Sequence, residues 1–332
     1  MTTHPTRRHL VAAAAATLLA AALAPSLALA QAGATPDLPI KLVVGFPPGT
    51  GPDVVARTLG QKLGELLKQP LAVDNRAGAG GQIGAQAVAK SAPDGSTLLL
   101  GELGSIAIAP AAYPKLPYDP PRELLGLSEV VRADFMLVVP ANAPVRSVTE
   151  FVAAARARKD RSNIATFGAG TPGHFGAELL AEQGGFKIEP VHYRATGDAV
   201  TAIIAGDVQG AFVSTALALA QVKGGKMKAL ATTAAQRSPL LPEVPTMAEA
   251  GYPKVDFSSW FVVMAPAGTP PALADALSRQ IVAAVQSPEV KAKLADAGFS
   301  VLGTSRADTD RLLKAEAARW AAVVKASDFK AE

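Results

Sequence analysis

Three glycine-rich loops hold the residues of this chain whose types and spacing could bind a ligand. They span residues 45–53, 74–81 and 166–174, and each follows an apolar run and precedes a segment with helical spacing. Glycine leaves main-chain N–H groups accessible, and the first turn of a helix offers N–H donors at the positive end of the helix dipole. This pattern predicts binding of a small anion such as a carboxylate.

The first loop reads GFPPGTGPD and contains the candidate residues Phe46, Pro48, Gly49 and Thr50. Its consecutive prolines restrict the backbone, because the pyrrolidine ring fixes φ. The Gly-Lys-Ser/Thr ending of a phosphate-binding loop is absent. The loop is therefore either an anion-binding helix start or a plain strand-to-helix turn, and both interpretations stay open at this point.

The second loop contains two polar side chains with more than one possible role. Asn75 is either a turn former or a hydrogen-bond donor to a ligand. Arg76 could pair with a ligand carboxylate or with Asp74, two residues earlier. We favour the pair between Arg76 and Asp74.

The third loop reads TFGAGTPGH, and its glycines at 168, 170 and 173 have the spacing of the G-x-G-x-x-G dinucleotide fingerprint. Pro172 stiffens the turn that a pyrophosphate would approach, and the first 30 residues, discussed below, predict export to a compartment with little NAD. We interpret Thr171 as the N-cap and Pro172 as the first residue of a helix. His174, on the first turn, either donates to a ligand or caps the helix.

Residues for covalent catalysis or metal binding are scarce. The chain has no Cys, and of its 4 His only His174 and His192 lie beyond the first 30 residues. Ser105 lies in the segment GSIA, which lacks the closing glycine of the G-x-S-x-G elbow. The composition excludes a thiol enzyme and a Cys-ligated zinc site. A secreted hydrolase, or an NAD-dependent enzyme that uses the third loop, is kept as an alternative.

The first 30 residues predict a signal peptide. Arg7 and Arg8 precede an Ala- and Leu-rich run at residues 10–24, which is too short to span a bilayer comfortably. Small residues at 28–30 suit a signal peptidase, so we expect cleavage after Ala30 and export to the periplasm. The paired arginines leave open whether export follows the general secretory or the twin-arginine route.

Length and charge limit the remaining function classes. A chain of 332 residues suggests about two domains. Of its 32 Lys and Arg, Arg7 and Arg8 lie in the leader, and the others are nearly balanced by 28 Asp and Glu. Proteins that bind nucleic acid carry a clustered basic surface instead. We therefore expect no nucleic-acid partner.

Strand-like runs alternate with helical segments along the mature chain, which predicts βαβ units and a mainly parallel sheet. We predict two α/β lobes joined by two crossover strands near 136–140 and 260–265, with ligands at the carboxyl ends of the strands. The predicted strands are 40–46, 71–74, 97–101, 137–140, 164–167, 191–193, 208–212, 228–232 and 258–266. The predicted helices include 53–68, 148–158 and 173–183, followed by three helices that begin at about Pro271, Pro288 and Ala307.

Six segments together resemble one protein family over nearly the whole mature chain. They are FPPG at 46–49, VDNRAGAGG at 73–81, PDG at 93–95, AAYPKLPYDP at 111–120, PEVPT at 242–246 and APAGTP at 265–270. With these motifs the chain resembles the Bug/TctC receptors, the extracytoplasmic solute-binding proteins of tripartite tricarboxylate transporters. The resemblance implies a type II periplasmic-binding-protein-like fold, with a ligand cleft between lobe one (31–138 and 262–332) and lobe two (139–261).

In such receptors main-chain N–H groups and waters hold the ligand carboxylate, mainly in the loop after the first strand. The resemblance places this role on Phe46, Pro48, Gly49 and Thr50, with Asn75, Gly80 and Ser105 nearby. It places Thr171, Gly173, His174, Tyr193, Arg194, Thr196, Gly197, Asp198 and Val213 on the opposite side of the cleft.

Val213 departs from the family pattern, because many relatives carry an Asp at that position. The ammonium group of an amino-acid ligand is costly to bury without a carboxylate nearby. We therefore favour an organic acid without an ammonium group, with an apolar or aromatic body against Val213 and Phe46. Two other carboxylates, those of Asp198 and Glu102, could hold an ammonium group instead. Glu102 is itself a departure, because relatives often carry Thr at that position.

The resemblance implies a periplasmic receptor that binds a small carboxylate and delivers it to the membrane components of a tripartite tricarboxylate transporter. We expect a monomer without a cofactor. A signalling module that captures a protein partner is the further alternative.

Overall fold

The computed structural model describes residues 38–193 and 195–327, so the predicted signal peptide and Arg194 lie outside the described residues. The described part confirms the predicted α/β class, with strands and helices alternating along the chain. Within these ranges, no helix combines the length and the apolar character needed to cross a membrane.

The chain begins with three strands and the helices between them. These elements are β1 (Ile40–Val44), α1 (Gly51–Leu67), β2 (Leu71–Asn75), a 3-10 turn (Ala79–Gly81), α2 (Gln82–Ala89), β3 (Thr97–Glu102), a π turn (Gly104–Ile108), α3 (Ala109–Ala112) and α4 (Pro120–Glu123).

A long strand, β4, then leads into the second series of elements. These are β4 (Leu124–Pro140), α5 (Val148–Ala157), β5 (Ser162–Thr166), α6 (Pro172–Gly184), β6 (Ile188–His192), α7 (Thr196–Ala205), β7 (Gly210–Ser214), α8 (Thr215–Lys223) and β8 (Met227–Thr232). The chain closes with β9 (Ser258–Pro266), α9 (Pro271–Gln286), α10 (Pro288–Asp296), β10 (Ser300–Val301) and α11 (Arg306–Ala326). The predicted strand 258–266 is confirmed with the same limits.

The strand order is β2-β1-β3-β9-β4-β7-β5-β6, with β8 and β10 also paired to β4. β1 is parallel to β2 and β3, and β5 is parallel to β6 and β7. Between these groups, β9 is antiparallel to β3 and β4, and β4 is antiparallel to β7. The sheet is therefore mixed, and the prediction of a mainly parallel sheet holds only for the two outer groups.

β4 belongs to both halves of the sheet. From Leu124 to Asp134 it pairs with β9, and from Phe135 onward it pairs with β7 and β8. The sequence predicted only residues 137–140 as strand, because charged residues interrupt the apolar pattern before them. Glu129, one of these, is 2% exposed and forms an ion pair with Arg132. The predicted lobe limits at 138/139 and 261/262 stay predictions.

The start of α6 follows the sequence closely. Thr171 is the N-cap and Pro172 the first helical residue, as predicted, and Gly185 ends the helix with a left-handed φ of 64°. The Thr171 hydroxyl donates to the carbonyl oxygen of Gly168 at 2.8 Å, within its own loop. The helix start and the glycine-rich loop are thereby held together.

Glu316 attaches the C-terminal helix α11 to the sheet. Its Oε2 accepts hydrogen bonds from the indole Nε1 atoms of Trp260 in β9 and Trp320, both at 3.0 Å. The Trp320 ring also packs on Phe175 of α6, with ring centroids 5.9 Å apart. Because a buried indole N–H needs an acceptor, this carboxylate fixes α11 against β9 through Trp260, while the Trp320 ring packs α11 on α6.

The close packing of α6 on Phe257 yields a stability prediction. A Cβ atom at Gly176 would lie 2.2 Å from Cζ of Phe257, which is 1% exposed. We expect Gly176→Ala to lower the free energy of unfolding by about 1–3 kcal/mol, because the buried ring must move. At Gly197 in α7 a Cβ meets nothing within 4 Å, so Gly197→Ala is the control. Urea unfolding compares the two, and equal stabilities would contradict the prediction.

Candidate functional site

A cleft of about 710 Å³ lies between the two halves of the sheet. Its lining comes from the segments that follow β1, β5, β6 and β7, from the last residue of β3, and from the turn before β10. β4 and β9 also contribute, where β4 changes partners. Cavities of a few hundred to about 1,000 Å³ hold small organic ligands. The cleft is therefore the candidate site, at the carboxyl ends of strands where α/β proteins bind ligands.

Within the described ranges, four helices begin at this cleft. Thr50 precedes α1, Thr171 precedes α6, Thr196 opens α7 and Ser214 precedes α8, and all four residues line the cleft. The first N–H groups of a helix have no intrahelical acceptor, and the helix dipole places partial positive charge there. The convergence of the four starts makes the cleft favourable for an anion.

Apolar side chains form much of the remaining wall. Among the described lining residues are six phenylalanines: Phe46, Phe135, Phe167, Phe212, Phe261 and Phe299. Val54, Val213 and Leu217 add aliphatic surface. Such a wall suits the apolar or aromatic body of an organic molecule.

Glu102, the last residue of β3, is the one charged side chain among the described residues that line the cleft. The residue is 6% exposed. Its Oε2 accepts from the N–H of Gly104 at 2.9 Å, and its Oε1 accepts from the N–H of Ser105 at 2.8 Å. Burial raises the pKa of the Glu102 carboxyl, against the effect of these hydrogen bonds, which favour the ionised form.

A buried network fixes the shape of the first loop. Asp53, which is 3% exposed, accepts from the N–H of Gly49 at 2.9 Å and from Nε of Arg57 at 2.9 Å. Nδ2 of Asn75 donates to Oδ1 of Asp53 and to the carbonyl oxygen of Phe46, both at 3.0 Å. The N–H of Gly49 is thus paired within the protein, and Asn75 connects the second loop to the first.

The charge of Asp53 is stable over a wide pH range. The hydrogen bond from Arg57 lowers the pKa of the Asp53 carboxyl to about 2, with smaller effects in the same direction from Gly49 and Asn75 and an opposing effect of burial. Because this pKa lies below that of an unfolded Asp, about 3.9, the network stabilises the fold above that pH. This contribution is lost as the pH falls through about 2.

His174 supports the third loop from inside the protein. It is 4% exposed, and its Nδ1 accepts from the N–H of Gly170 at 3.1 Å. Burial, and to a smaller extent the neighbouring His192, lowers the pKa of His174 to about 4, so the ring is neutral at pH 7. The loop backbone is therefore one partner of this side chain.

Seven of the predicted ligand contacts line the cleft: Phe46, Gly49, Thr50, Thr171, Gly173, Thr196 and Val213. Eight described ones lie outside its lining: Pro48, Asn75, Gly80, Ser105, His174, Tyr193, Gly197 and Asp198. Arg194 lies outside the described residues. The favoured ion pair of Arg76 with Asp74 is present, with 3.0 Å between Nε and Oδ2. The roles of the predicted residues as ligand contacts stay predictions.

Sequence reasoning missed the part of the lining that comes from the centre of the sheet and from the turn before β10. These residues include Ala133, Phe135, Ser259, Phe261, Ala297, Gly298 and Phe299. Ala133 and Ser259 are opposite each other in the β4–β9 register, 126 positions apart in the chain. No local pattern indicates such a pairing. The start of α8 did carry a signal, since Ser214 is an N-cap residue type and its hydroxyl accepts from the N–H of Leu217 at 3.4 Å.

The Asp53 network yields a pH-dependent prediction. We expect Asp53→Asn to lower the free energy of unfolding at pH 7 by about 1–3 kcal/mol, because charge-assisted hydrogen bonds are lost. The difference from wild type should shrink toward pH 2, where the wild-type carboxyl becomes protonated. Asp74→Asn, which removes the more exposed pair with Arg76, is the control and should cost less than about 1 kcal/mol. Guanidinium unfolding at both pH values measures this, and a difference that does not depend on pH would contradict it.

Comparison with known proteins identifies the family. The family described as "Tripartite tricarboxylate transporter family receptor", TctC, matches residues 55–329. The chain is 36% identical over 296 residues to the protein BugT of Bordetella pertussis, an alignment that covers 89% of this chain and 91% of BugT.

Two solved structures extend the similarity to the fold. MatC from Rhodopseudomonas palustris with bound malate has a TM-score of 0.76 at 30% identity, covering 87% of this chain and 99% of MatC. Rpa4515 from R. palustris with adipate has a TM-score of 0.80 at 32% identity, covering 89% and 99% of the two chains. The chain therefore belongs to the TctC family of receptors of tripartite tricarboxylate transporters, as the motifs in its sequence predict.

Proposed function

We propose that this receptor binds a small organic carboxylate in the cleft and delivers it to the membrane components of a tripartite tricarboxylate transporter. The observation that carries the proposal is the convergence of four helix starts on a cleft whose described lining residues include no Lys, Arg or His. Each helix start stabilises an anion by about 0.3–1 kcal/mol and destabilises a cation correspondingly. An organic carboxylate fits this cleft because its charged group can bind at the helix starts and its organic body can fill the apolar part of the cleft.

The relatives support the same ligand chemistry. MatC holds malate and Rpa4515 holds adipate, and both molecules are carboxylates. In this chain we assign the carboxylate to the helix starts beside Thr50, Thr171 and Thr196, and the ligand body to the wall with Val213. A ligand without an ammonium group fits that wall better than an amino acid, because apolar side chains offer no acceptor.

Several finer features belong to the same proposal. We place lobe one at residues 31–138 and 262–332 and lobe two at 139–261, with the cleft between them. We expect export to the periplasm with cleavage after Ala30, a monomer in solution, and binding without turnover. The hydroxyl of Ser105 donates to the main-chain oxygen of Glu102 at 3.3 Å, which supports a structural role for this serine rather than a nucleophilic one.

Thermal shift measurements test the ligand class. A ligand that binds only the folded state adds about 2.7 kcal/mol of stability at 100 times its Kd. For a protein of this size that corresponds to a melting temperature higher by roughly 5–10 °C. We expect such shifts from at least one acid in a panel of mono- and dicarboxylates, with no consumption of the ligand. Shifts from sugars or metal ions alone would overturn the proposal.

Substitution of Thr171 tests the place of the carboxylate. Thr171→Glu places a negative charge at the start of α6, where it satisfies the helix end and repels an anionic ligand. We expect the affinity for the best carboxylate to fall at least about tenfold, or 1.4 kcal/mol. Thr171→Gln, which has the same length without the charge, should lose less. Isothermal titration with both variants decides, and equal affinities of the two would place the carboxylate elsewhere.

A further inference from the structure

We propose that Glu102 makes the cleft select a monocarboxylate that also carries a hydroxyl group, and that it excludes a second carboxylate. The inference rests on the proposed function, because it assumes that one carboxylate binds at the helix starts. It adds the identity of a second group on the ligand and the residue that recognises it.

The position of Glu102 in the wall of the cleft is fixed by three hydrogen bonds. The N–H groups of Gly104 and Ser105, which begin the π turn, donate to Oε2 at 2.9 Å and to Oε1 at 2.8 Å. The hydroxyl of Ser259, which also lines the cleft, donates to Oε2 at 3.4 Å. The carboxyl group is therefore held by two different elements, the π turn and β9. In the β3–β9 register Glu102 is opposite Phe261, which also lines the cleft.

The number of acceptor positions on Glu102 indicates what it can bind. An ionised carboxylate has about four positions at which it accepts hydrogen bonds, two on each oxygen. The donors in the described part of the chain occupy both positions on Oε2 and one on Oε1. The hydroxyl of Ser105 also lies near the carboxyl, but it donates its one proton to the main-chain oxygen of Glu102. One acceptor position on Oε1 is left for a ligand in the cleft. A single hydroxyl group satisfies it completely.

An ammonium group fits this position less well than a hydroxyl group. It carries three N–H donors, of which Glu102 can accept one. Of the other two, one can bond to the hydroxyl oxygen of Ser259, and one would lie against Phe261, whose ring offers no hydrogen-bond acceptor of ordinary strength. Buried N–H groups without acceptors are costly, whereas a hydroxyl group leaves no donor unpaired.

A second ligand carboxylate is excluded because Glu102 already occupies its place. The N–H groups of Gly104 and Ser105 are the donors that an anion would use at this helical turn, and both are bonded to Glu102. A ligand carboxylate next to Glu102 would meet a like charge that is 6% exposed, and repulsion between buried charges is stronger than in bulk solvent. On this basis the chain differs from MatC and Rpa4515, which hold the dicarboxylates malate and adipate.

Isothermal titration of the purified protein at pH 8 with matched acids tests the inference. One set is hexanoate, 6-hydroxyhexanoate, the amino acid 6-aminohexanoate and adipate, and the other is benzoate, 3- and 4-hydroxybenzoate and terephthalate. We expect at least one hydroxy acid to bind about tenfold or more tightly than its parent acid and than the matching dicarboxylate. In Glu102→Gln we expect the hydroxyl preference to disappear and the dicarboxylate to gain about tenfold in affinity.

The controls separate the role of Glu102 from effects on folding. Glu189→Gln neutralises an exposed carboxylate that pairs with Arg161, away from the cleft lining, and should leave all affinity ratios unchanged. Glu102→Asp keeps the negative charge, so it should still reject the dicarboxylate. If Glu102→Gln does not fold, Glu102→Asp takes its place as the test. Two outcomes would overturn this inference and leave the proposed function standing. One is equal affinity ratios in wild type and Glu102→Gln. The other is that wild type binds a dicarboxylate or an amino acid more tightly than every hydroxy acid. Failure of every carboxylate to bind would overturn the proposed function instead.

Discussion

The hydrogen-bond register of β4 is the constraint on which the cleft depends. This strand pairs with β9 as far as Asp134 and with β7 and β8 from Phe135 onward. A shift by one residue would turn each side chain of the strand to the opposite face of the sheet, so the point at which the partners change is fixed. Ala133 and Phe135 flank this point and both line the cleft. β4 therefore connects the two halves of the sheet and also contributes residues to the wall of the cleft.

The electrostatics of the cleft come from the backbone more than from side chains. The helix starts supply partial positive charge, and two buried carboxylates modify it in different ways. Asp53 is paired with Arg57 and bonds the N–H of Gly49, so its charge stabilises a loop and is compensated. Glu102 has hydrogen-bond donors but no cationic partner among the described residues, and it faces the cleft. One carboxylate thus shapes a loop of the cleft, and the other faces the cleft itself.

The elements that sequence analysis placed well are those whose pattern is local and uniform. Residues 258–266 form a nearly continuous apolar run, and all but the first are buried in β9. The first part of β4 was missed because Glu129, Arg132 and Asp134 make it look like a loop. Glu129 is nevertheless buried, since its ion pair with Arg132 compensates the charge. That compensation depends on how the strand packs, and periodicity does not report it.

The sequence by itself determined the glycine-rich loops, the helix start after Thr171, the presence of a helix after the first loop, and the family, because capping, proline placement and motifs involve residues close together in the chain. Only the tertiary structure decided which of these groups line the cleft and which are paired within the protein. It pairs the N–H of Gly49 with Asp53 and uses Asn75 to hold the carbonyl oxygen of Phe46, 29 positions away. It also brings Ser259 to Glu102, 157 positions away. Hydrogen bonds and burial between distant segments depend on the packing of the whole chain, which no local pattern of residues contains.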